Sequence, residues 1–197
     1  FKGRLPKEMS ESEIRLRYNL GKMTASRVLG ALAEDGIVSR MPGYGWHFEP
    51  TLNSASAHDQ SYDLRLILEP SSILSAEFKF DAEKAQLLRH RHEEALSGRR
   101  KSHLAEIVRL DEEFHAFIAE CSGNRFIMQA IAHQNRLRRL MEYQSLVNAG
   151  RLMESCQEHI AILNQLECGD RKKAAAIMRQ HLQKAKDSGP DFPERRA

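Results

Sequence analysis

The sequence predicts a mostly α-helical protein in which a small N-terminal unit with a β-hairpin precedes an all-α antiparallel bundle. Two observations carry this prediction. Beyond residue 60, apolar residues recur at helical spacing almost to the end of the chain, with short polar breaks between segments. Before residue 50 the elements are shorter, and the turn Met41-Pro42-Gly43-Tyr44-Gly45 separates two strand-like runs. Residues 51–60 are polar and unpatterned and are predicted to be a linker.

Two helices are predicted at the start of the chain. Ser10 is a suitable N-cap for the first, because Glu13 follows three residues later and completes a capping-box pattern. A turn at 19–22 then leads to a second helix over approximately 24–35, in which apolar side chains form one stripe. Gly36 directly follows and is predicted to be its C-cap.

A β-hairpin completes the N-terminal unit. Its strands are predicted at 37–40 and 46–49, on either side of the Gly/Pro turn. Two helices at a tight turn followed by a hairpin give the outline of a winged helix-turn-helix, here over residues 1–50. Because the chain starts at Phe1, it is expected to begin partway through this domain, after its first helix.

The second half, residues 61–187, is predicted to be an antiparallel helical bundle. Six helices are expected, at 61–78, 82–97, 101–121, 125–145, 150–167 and 171–187. The breaks between them fall at Asp81, Gly98, Ser122-Gly123-Asn124, Asn148-Ala149-Gly150 and Gly169. Short connections of this kind imply antiparallel neighbours. Residues 188–197 are Pro-rich and charged and are predicted to be a frayed or disordered tail.

Composition excludes several classes of protein. With 197 residues, 41% hydrophobic and 29% charged, the chain is typical of a globular protein of one or two domains. A net charge of +3 permits nucleic-acid contact without arguing for it. The three cysteines share no close spacing, which favours a reducing cytoplasm over a disulfide framework or a zinc ribbon. No apolar run approaches the roughly 18 residues of a membrane span, and no signal peptide is expected.

Four side chains in the second half have the spacing of a metal site. Asp111 and His115 are four residues apart and therefore project from one face of a helix. His181 follows His159 by 22 residues, which suits a helical hairpin that brings both rings to similar height. Three imidazoles and a carboxylate are a credible donor set for zinc, nickel or manganese, among which the ligands do not discriminate. The alternative is a solvated i, i+4 pair beside two structural histidines.

Longer motifs carry a resemblance to a known family. Leu5-Pro6-Lys7-Glu8 stands where the GntR family of bacterial regulators has its "LPSE" entry, and 28–46 (VLGALAEDGIVSRMPGYGW) is similar to that family's "ALRRLEAEGLVERRPGRGT". The second half resembles the FCD effector domain of the FadR-like branch in four segments: 63–70 (DLRLILEP), 111–124 (DEEFHAFIAECSGN), 158–163 (EHIAIL) and 169–182 (GDRKKAAAIMRQHL). The resemblance covers nearly the whole chain except the linker and the tail.

The resemblance implies a winged helix that reads double-stranded operator DNA, with a homodimer reading a pseudo-palindrome. The residue types that reach phosphates and base edges here are Lys7, Lys22, Thr24, Ser26, Arg27, Arg40 and Tyr44. The family usually has "SRTPVREAL" where this chain has "GKMTASRVL" (21–29), and Tyr44 stands where Arg is common. The operator sequence therefore stays open. Trp46 is either a DNA-facing residue of the wing or its core anchor.

The resemblance also implies that the bundle binds a small carboxylate or sugar acid beside a metal held by Asp111, His115, His159 and His181. Arg65 matches an Arg that faces the ligand in some members, although pairing with Glu69, its i+4 neighbour, is the alternative. The remaining histidines are interpreted as surface or packing residues, namely His47, His58, His90, His92, His103 and His133.

The function expected from these observations is a cytoplasmic, metabolite-responsive transcriptional regulator, most often a repressor in such families. It is not expected to be an enzyme, and no catalytic residue is predicted, because no general base or oxyanion donor follows the ligands at a recognisable spacing. The alternatives are a metal-dependent hydrolase and a helical interaction protein without an effector. Whether the effector loosens or tightens DNA binding stays open.

Overall fold

A computed structural model describes residues 7–34, 36–49, 52, 54–97, 104–142, 149–189 and 192. The chain divides into two compact units, Phe1–Thr51 and Leu52–Ala197. Several predicted features lie outside the described residues: Leu5-Pro6, the end of the second helix at Asp35, the breaks at Gly98 and Asn148, the start of the 101–121 helix and the end of the 125–145 helix. In the described part of the chain, no helix is both long and apolar enough to cross a bilayer.

The first unit contains two helices and a small sheet. Its elements are β1 (Glu8–Met9), α1 (Glu11–Tyr18), α2 (Lys22–Glu34), β2 (Val38–Met41) and β3 (Gly45–Phe48). The predicted capping box is confirmed, because the Glu13 N–H donates to Ser10 Oγ at 3.2 Å while the Ser10 N–H donates to the Glu13 carboxylate at 2.7 Å. The predicted C-cap of α2 is also confirmed, with Gly36 at φ +71° and the Ile37 N–H donating to the Leu32 carbonyl.

The hairpin of β2 and β3 becomes a three-stranded antiparallel sheet in the order β1-β3-β2. The sequence did not predict β1, in which Met9 pairs with Trp46 of β3. Gly45 makes this pairing possible: its φ is +103°, and a Cβ there would lie 2.5 Å from the Met9 carbonyl oxygen. The result is a winged helix-turn-helix, as the sequence predicts.

The described residues of the second unit form six helices packed as an antiparallel bundle. They are α3 (Ala55–Leu74), α4 (Ala82–Ser97), α5 (Leu104–Cys121), α6 (Arg125–Glu142), α7 (Ala149–Glu167) and α8 (Arg171–Asp187). One core joins α3, α4, α5, α7 and α8, and its fully buried members include Phe114, Phe117, Ile162, Leu163 and Leu182. Because α5, α7 and α8 all point side chains into this core, polar residues on the same faces are buried with them.

The start of α3 corrects two predictions. Ser54 caps this helix, accepting from the Ala57 N–H at 3.2 Å, and the helix begins at Ala55 rather than at 61. Residues 55–60 of the predicted linker 51–60 are therefore helical. No apolar stripe marks this turn, because its buried residue is His58, a polar residue type that is usually exposed.

The predicted tail, 188–197, is also corrected where it is described. Phe192 is buried in a small cluster with Leu52 and Leu137, and it is not frayed. Gly189 lies against the ring of His58, where a Cβ would fall 2.5 Å from the imidazole. A single aromatic residue in a Pro-rich, charged segment produces no periodicity, so the sequence pattern could not reveal this anchor.

Candidate metal centre

The four residues with metal-site spacing converge at one point inside the bundle. Asp111 and His115 come from α5, His159 from α7 and His181 from α8, and all four are buried. One ligand atom from each lies within 4.8 Å of the others. The i, i+4 spacing puts the first two on the inner face of α5, while the hairpin of α7 and α8 brings the other two alongside them.

Each imidazole presents Nε2 to the centre of the cluster. His159 Nε2 lies 3.3 Å from His181 Nε2, which lies 3.4 Å from His115 Nε2. The Asp111 carboxylate completes the group, with oxygens 3.6 Å from His159 Nε2 and 3.8 Å from His115 Nε2. Four donor atoms therefore face one small volume.

The outward nitrogen of two of the rings binds a carboxylate. His115 Nδ1 lies 2.5 Å from Glu69 of α3, and His181 Nδ1 lies 2.7 Å from Glu158 of α7. An ionised carboxylate only accepts hydrogen bonds, so each Nδ1 carries the hydrogen and donates it. In a neutral ring this arrangement leaves Nε2 with a lone pair aimed at the centre, as metal-binding histidines require.

Burial favours the neutral form of His159 and His181. Loss of solvation, followed by the neighbouring His181 charge, lowers the pKa of His159 well below its usual value. Burial likewise lowers the pKa of His181 to about 4, although the hydrogen bond to Glu158 opposes this shift. At neutral pH His159 and His181 therefore present uncharged nitrogen donors, which is the form that binds a metal ion.

Asp111 is an ionised carboxylate despite its burial. Loss of solvation raises its pKa, but Arg138 and then His115 outweigh that effect, and the pKa of Asp111 lies well below its ordinary value. Arg138, on α6, donates to Asp111 Oδ2 at 2.6 Å. The site therefore combines three imidazole rings with one negative oxygen donor.

The donor set fits a divalent transition metal. Two nitrogens bound to one ion at about 2.1 Å and at a tetrahedral angle lie about 3.4 Å apart, and the observed nitrogen separations are 3.3 and 3.4 Å. Three inward lone pairs at this spacing, without a proton between them, repel one another. A cation at the centre would turn that repulsion into attraction.

Arg65 lies on α3, one helical turn before Glu69. Its Nε donates to Glu69 at 2.6 Å, so the i+4 pair that the sequence left open is present. The guanidinium is buried and lies over the Tyr62 ring at 5.3 Å. Its Nη2 has no hydrogen-bond partner among the described residues. One buried donor therefore stays available beside the His115–Glu69 pair.

The seven predicted DNA-contacting residues all lie exposed on the first unit. Four of them occupy the first six residues of α2, and the other three lie before β1, on β2 and in the β2–β3 turn; in chain order they are Lys7, Lys22, Thr24, Ser26, Arg27, Arg40 and Tyr44. Trp46 is half-buried on β3 and pairs with both flanking strands. Its position favours the role of core anchor for the wing.

Sequence reasoning missed the residues that surround the ligands. His92 of α4 was interpreted as a surface or packing residue without a partner in the site. It is buried, as a packing residue would be, but its Nε2 lies 3.0 Å from His159 Nδ1. Glu158 and Arg138 were not singled out at all. The one available signal was position: Glu158 directly precedes a ligand, and Glu69 lies in the DLRLILEP segment.

A winged helix-turn-helix followed by a helical bundle with a buried Asp/His cluster defines a class of bacterial transcriptional regulators. The FCD domain model matches residues 60–184, which is more than half of the chain. The chain belongs to the GntR-family regulators that carry an FCD domain.

Named relatives agree with this assignment. The chain is 21% identical over 180 residues to the HTH-type transcriptional repressor RspR of Escherichia coli K12, covering 91% of this chain and 78% of that protein. It is 27% identical over 203 residues to the HTH-type transcriptional repressor NanR of Klebsiella aerogenes, covering 91% and 74%.

Two solved structures share the fold. One is Lar, which controls the expression of the Listeria monocytogenes agr system; it matches with a TM-score of 0.73 and 13% identity over 93% of this chain and 87% of that one. The other is a GntR regulator from Rhodococcus sp. RHA1, with a TM-score of 0.58 and 16% identity over 91% and 85%.

Proposed function

We propose that this regulator is a cytoplasmic repressor that binds operator DNA as a homodimer and senses a small carboxylate or sugar acid at a metal site in its bundle. Asp111, His115, His159 and His181 are the proposed ligands. The observation that carries the proposal is the convergence of three Nε2 atoms and one carboxylate in a buried volume, since a cation at that point would attract all four donors.

The bundle offers the effector two kinds of attraction. When bound, the ion supplies coordination positions beyond the four protein donors, and a carboxylate oxygen suits such a position. Arg65 offers a fixed guanidinium whose buried Nη2 has no hydrogen-bond partner in the described part of the chain. Since an unpaired buried donor is costly, an anionic ligand that accepts from it gains affinity.

DNA binding rests on the exposed residues of the first unit. Lys22, Thr24, Ser26 and Arg27 present donors at the N-terminal end of α2, where recognition helices contact base edges. Arg40 and Tyr44 of the wing, with Lys7, extend this surface toward phosphates. A dimer would place two such units on half-sites about 34–36 Å apart.

Effector binding would regulate DNA affinity through the bundle. The proposed ligands belong to α5, α7 and α8, so an effector that adds a donor at the centre changes how these three helices pack. Coupling of about 1–3 kcal/mol corresponds to a change of about 5- to 150-fold in operator affinity.

Catalysis is not part of the proposal. Hydrolysis at a metal centre requires a general base near the activated water. The described carboxylates around the cluster are already engaged: Glu69 by Arg65 and His115, and Glu158 by Arg151, Lys184 and His181. Burial acts to raise the pKa of each carboxyl group, but these partners lower it to about 2. Both carboxylates are therefore poor proton acceptors.

Two measurements test the proposal. Elemental analysis should find one transition-metal ion per chain in the wild type and none in the His159→Ala/His181→Ala double variant. His90→Ala is the matched control, because His90 is an exposed histidine of α4. Full metal content in the double variant would refute the ligand assignment.

The second measurement addresses sensing. The metal-loaded protein is screened by thermal shift against carboxylates and sugar acids, because a ligand of the folded state raises the melting temperature. In a gel-shift assay with DNA from upstream of the protein's own gene, a compound found this way should weaken or strengthen DNA binding by the wild type. The same compound should have a much smaller effect on DNA binding by Arg65→Met. A band shift indifferent to every stabilising acid would rule out effector control.

A further inference from the structure

His92 occupies an unusual position behind the proposed metal centre. It lies on α4, which contributes none of the four proposed ligands, and it is fully buried. Its Nδ1 lies 2.7 Å from the Leu88 carbonyl oxygen, and its Nε2 lies 3.0 Å from His159 Nδ1. The imidazole therefore bridges a backbone acceptor and one of the ligand rings.

These two contacts determine where the hydrogens lie. A carbonyl oxygen only accepts, so His92 Nδ1 carries a hydrogen and donates it to Leu88. The ring is fully buried and hydrogen-bonds to no carboxylate among the described residues, which favours its neutral form. His92 Nε2 is then a pure acceptor. His159 must supply the hydrogen between them, from its Nδ1.

The hydrogen on His159 Nδ1 determines the state of the nitrogen that this ring presents to the centre of the cluster. A neutral His159 with its hydrogen on Nδ1 has a bare Nε2, and that atom faces His181 and Asp111. We propose that His92 is a positioning residue that fixes His159 in the only tautomer able to bind the ion. The metal part of this inference rests on the proposed function, whereas the tautomer is a property of the chain alone.

His159 needs this partner more than the other two rings do. Its alternative tautomer, with the hydrogen on Nε2, would point that hydrogen at Asp111 Oδ1, only 3.6 Å away, and so would close the site. The outward nitrogens of His115 and His181 face the negative charges of Glu69 and Glu158, which hold a hydrogen on Nδ1 strongly. His159 has a neutral acceptor instead.

The orientation of the His159 ring does not depend on His92 alone, because a second residue packs against that ring. The His159 ring lies flat on the Phe114 ring, with centroids 3.8 Å apart and planes 14° apart. Phe114 belongs to α5 and is itself fully buried. The orientation of the His159 plane is therefore set from the α5 side, and the contribution of His92 is the placement of a hydrogen.

The test uses the full chain in its metal-free form. Long-range ¹H–¹⁵N spectra of the histidine rings distinguish a pyrrole-type nitrogen, which carries hydrogen, from a pyridine-type nitrogen. The wild type should show Nδ1 as the pyrrole-type nitrogen in both His92 and His159. In His92→Phe, which keeps an aromatic ring but has no acceptor, His159 should move its hydrogen to Nε2.

Metal affinity provides the second readout, measured with Zn²⁺ against a competing chromophoric chelator. His92→Phe should bind about 10- to 100-fold more weakly than the wild type. His92→Gln should recover most of this loss, because its amide oxygen can accept from His159 Nδ1. His90→Phe on the same helix is the matched control and should bind as the wild type does.

Three results would overturn the inference: His159 with its hydrogen on Nε2 in the wild type, an unchanged His159 tautomer in His92→Phe, or equal affinities of His92→Phe and the wild type. If His92→Phe does not fold, the wild-type spectrum still tests the predicted tautomer of His159, and the Zn²⁺ affinity of His92→Gln still tests the need for an acceptor at this position. A wild type that binds no Zn²⁺ would refute the proposed metal site, whereas the spectra of the metal-free protein would still test whether His92 sets the tautomer of His159.

Discussion

Glu69 should contribute more to stability than almost any other charged side chain of the bundle. It is buried, accepts from Arg65 Nε at 2.6 Å and from His115 Nδ1 at 2.5 Å, and carries a full charge. Burial acts to raise its pKa, but Arg65 and His115 together lower that pKa to about 2. Glu69→Gln keeps the shape and one acceptor oxygen while it removes the charge.

The expected cost follows from what the substitution leaves behind. Arg65 would stay buried as a cation without its counter-ion, and breaking a buried pair in this way costs about 3–5 kcal/mol. For a chain of this size, each kcal/mol corresponds to about 2–4 °C of melting temperature. Glu69→Gln should therefore melt roughly 6–20 °C below the wild type.

Thermal unfolding of the metal-free protein, followed by circular dichroism, measures the effect. The matched control is Glu167→Gln, because Glu167 accepts from Arg89 at the same 2.6 Å but at the surface. Such a pair is worth about 0–1 kcal/mol, which is at most about 4 °C. Arg65→Met/Glu69→Gln should recover much of the loss, since no unpaired charge remains.

Two results would refute this reasoning. The first is a melting temperature of Glu69→Gln no lower than that of Glu167→Gln, which would mean that the buried pair is solvated in solution. The second is a double variant as unstable as Glu69→Gln alone, because the cost would then come from lost packing around Glu69 rather than from the charge on Arg65.

Two further predictions concern other parts of the chain. Iodoacetamide at pH 8 should label one thiol in the native protein and three after denaturation, because Cys168 is exposed while Cys121 and Cys156 are buried; burial, and then the Asp111 charge, raises the pKa of Cys156 to about 12, so its thiolate is negligible at pH 8. Labelling of Cys156 at the rate of Cys168 would contradict the structure. Gly45→Ala should destabilise the winged unit by at least about 1 kcal/mol, whereas Gly30→Ala, inside α2 with open space around it, should stabilise it by about 0.5–1 kcal/mol. Fluorescence of the single tryptophan during urea unfolding measures both, and equal shifts would argue against the strand pairing.

Local signals in the sequence predicted the parts of the fold that depend on local chemistry. The Ser10–Glu13 capping box and the Gly36 cap involve atoms within five residues of one another, so their residue types are readable directly. The convergence of His159 and His181 was predictable for a related reason, because a fixed helical rise and a short turn convert spacing into height.

Contacts that depend on tertiary packing were not predictable in this way. His92 has no periodic partner along α4, and its role comes from α7, 67 residues later. Strand β1 is only two residues long and exists because β3 offers it an edge. Similarly, the first turns of α3 look like a linker in the sequence, because they have no apolar stripe. Their buried residue is His58, which is covered by Gly189 from the far end of the bundle sequence.

The position of Phe192 has a practical consequence for work with this protein. Its side chain packs with Leu52, just before α3, and Leu137 on α6, and its ring centroid lies 5.8 Å from that of His58. Residues of this kind are often trimmed before crystallisation because a Pro-rich, charged end looks dispensable. Truncation after Asp187 would remove Phe192 and expose the apolar side chains of Leu52 and Leu137 to water. Such exposed apolar surface would promote aggregation.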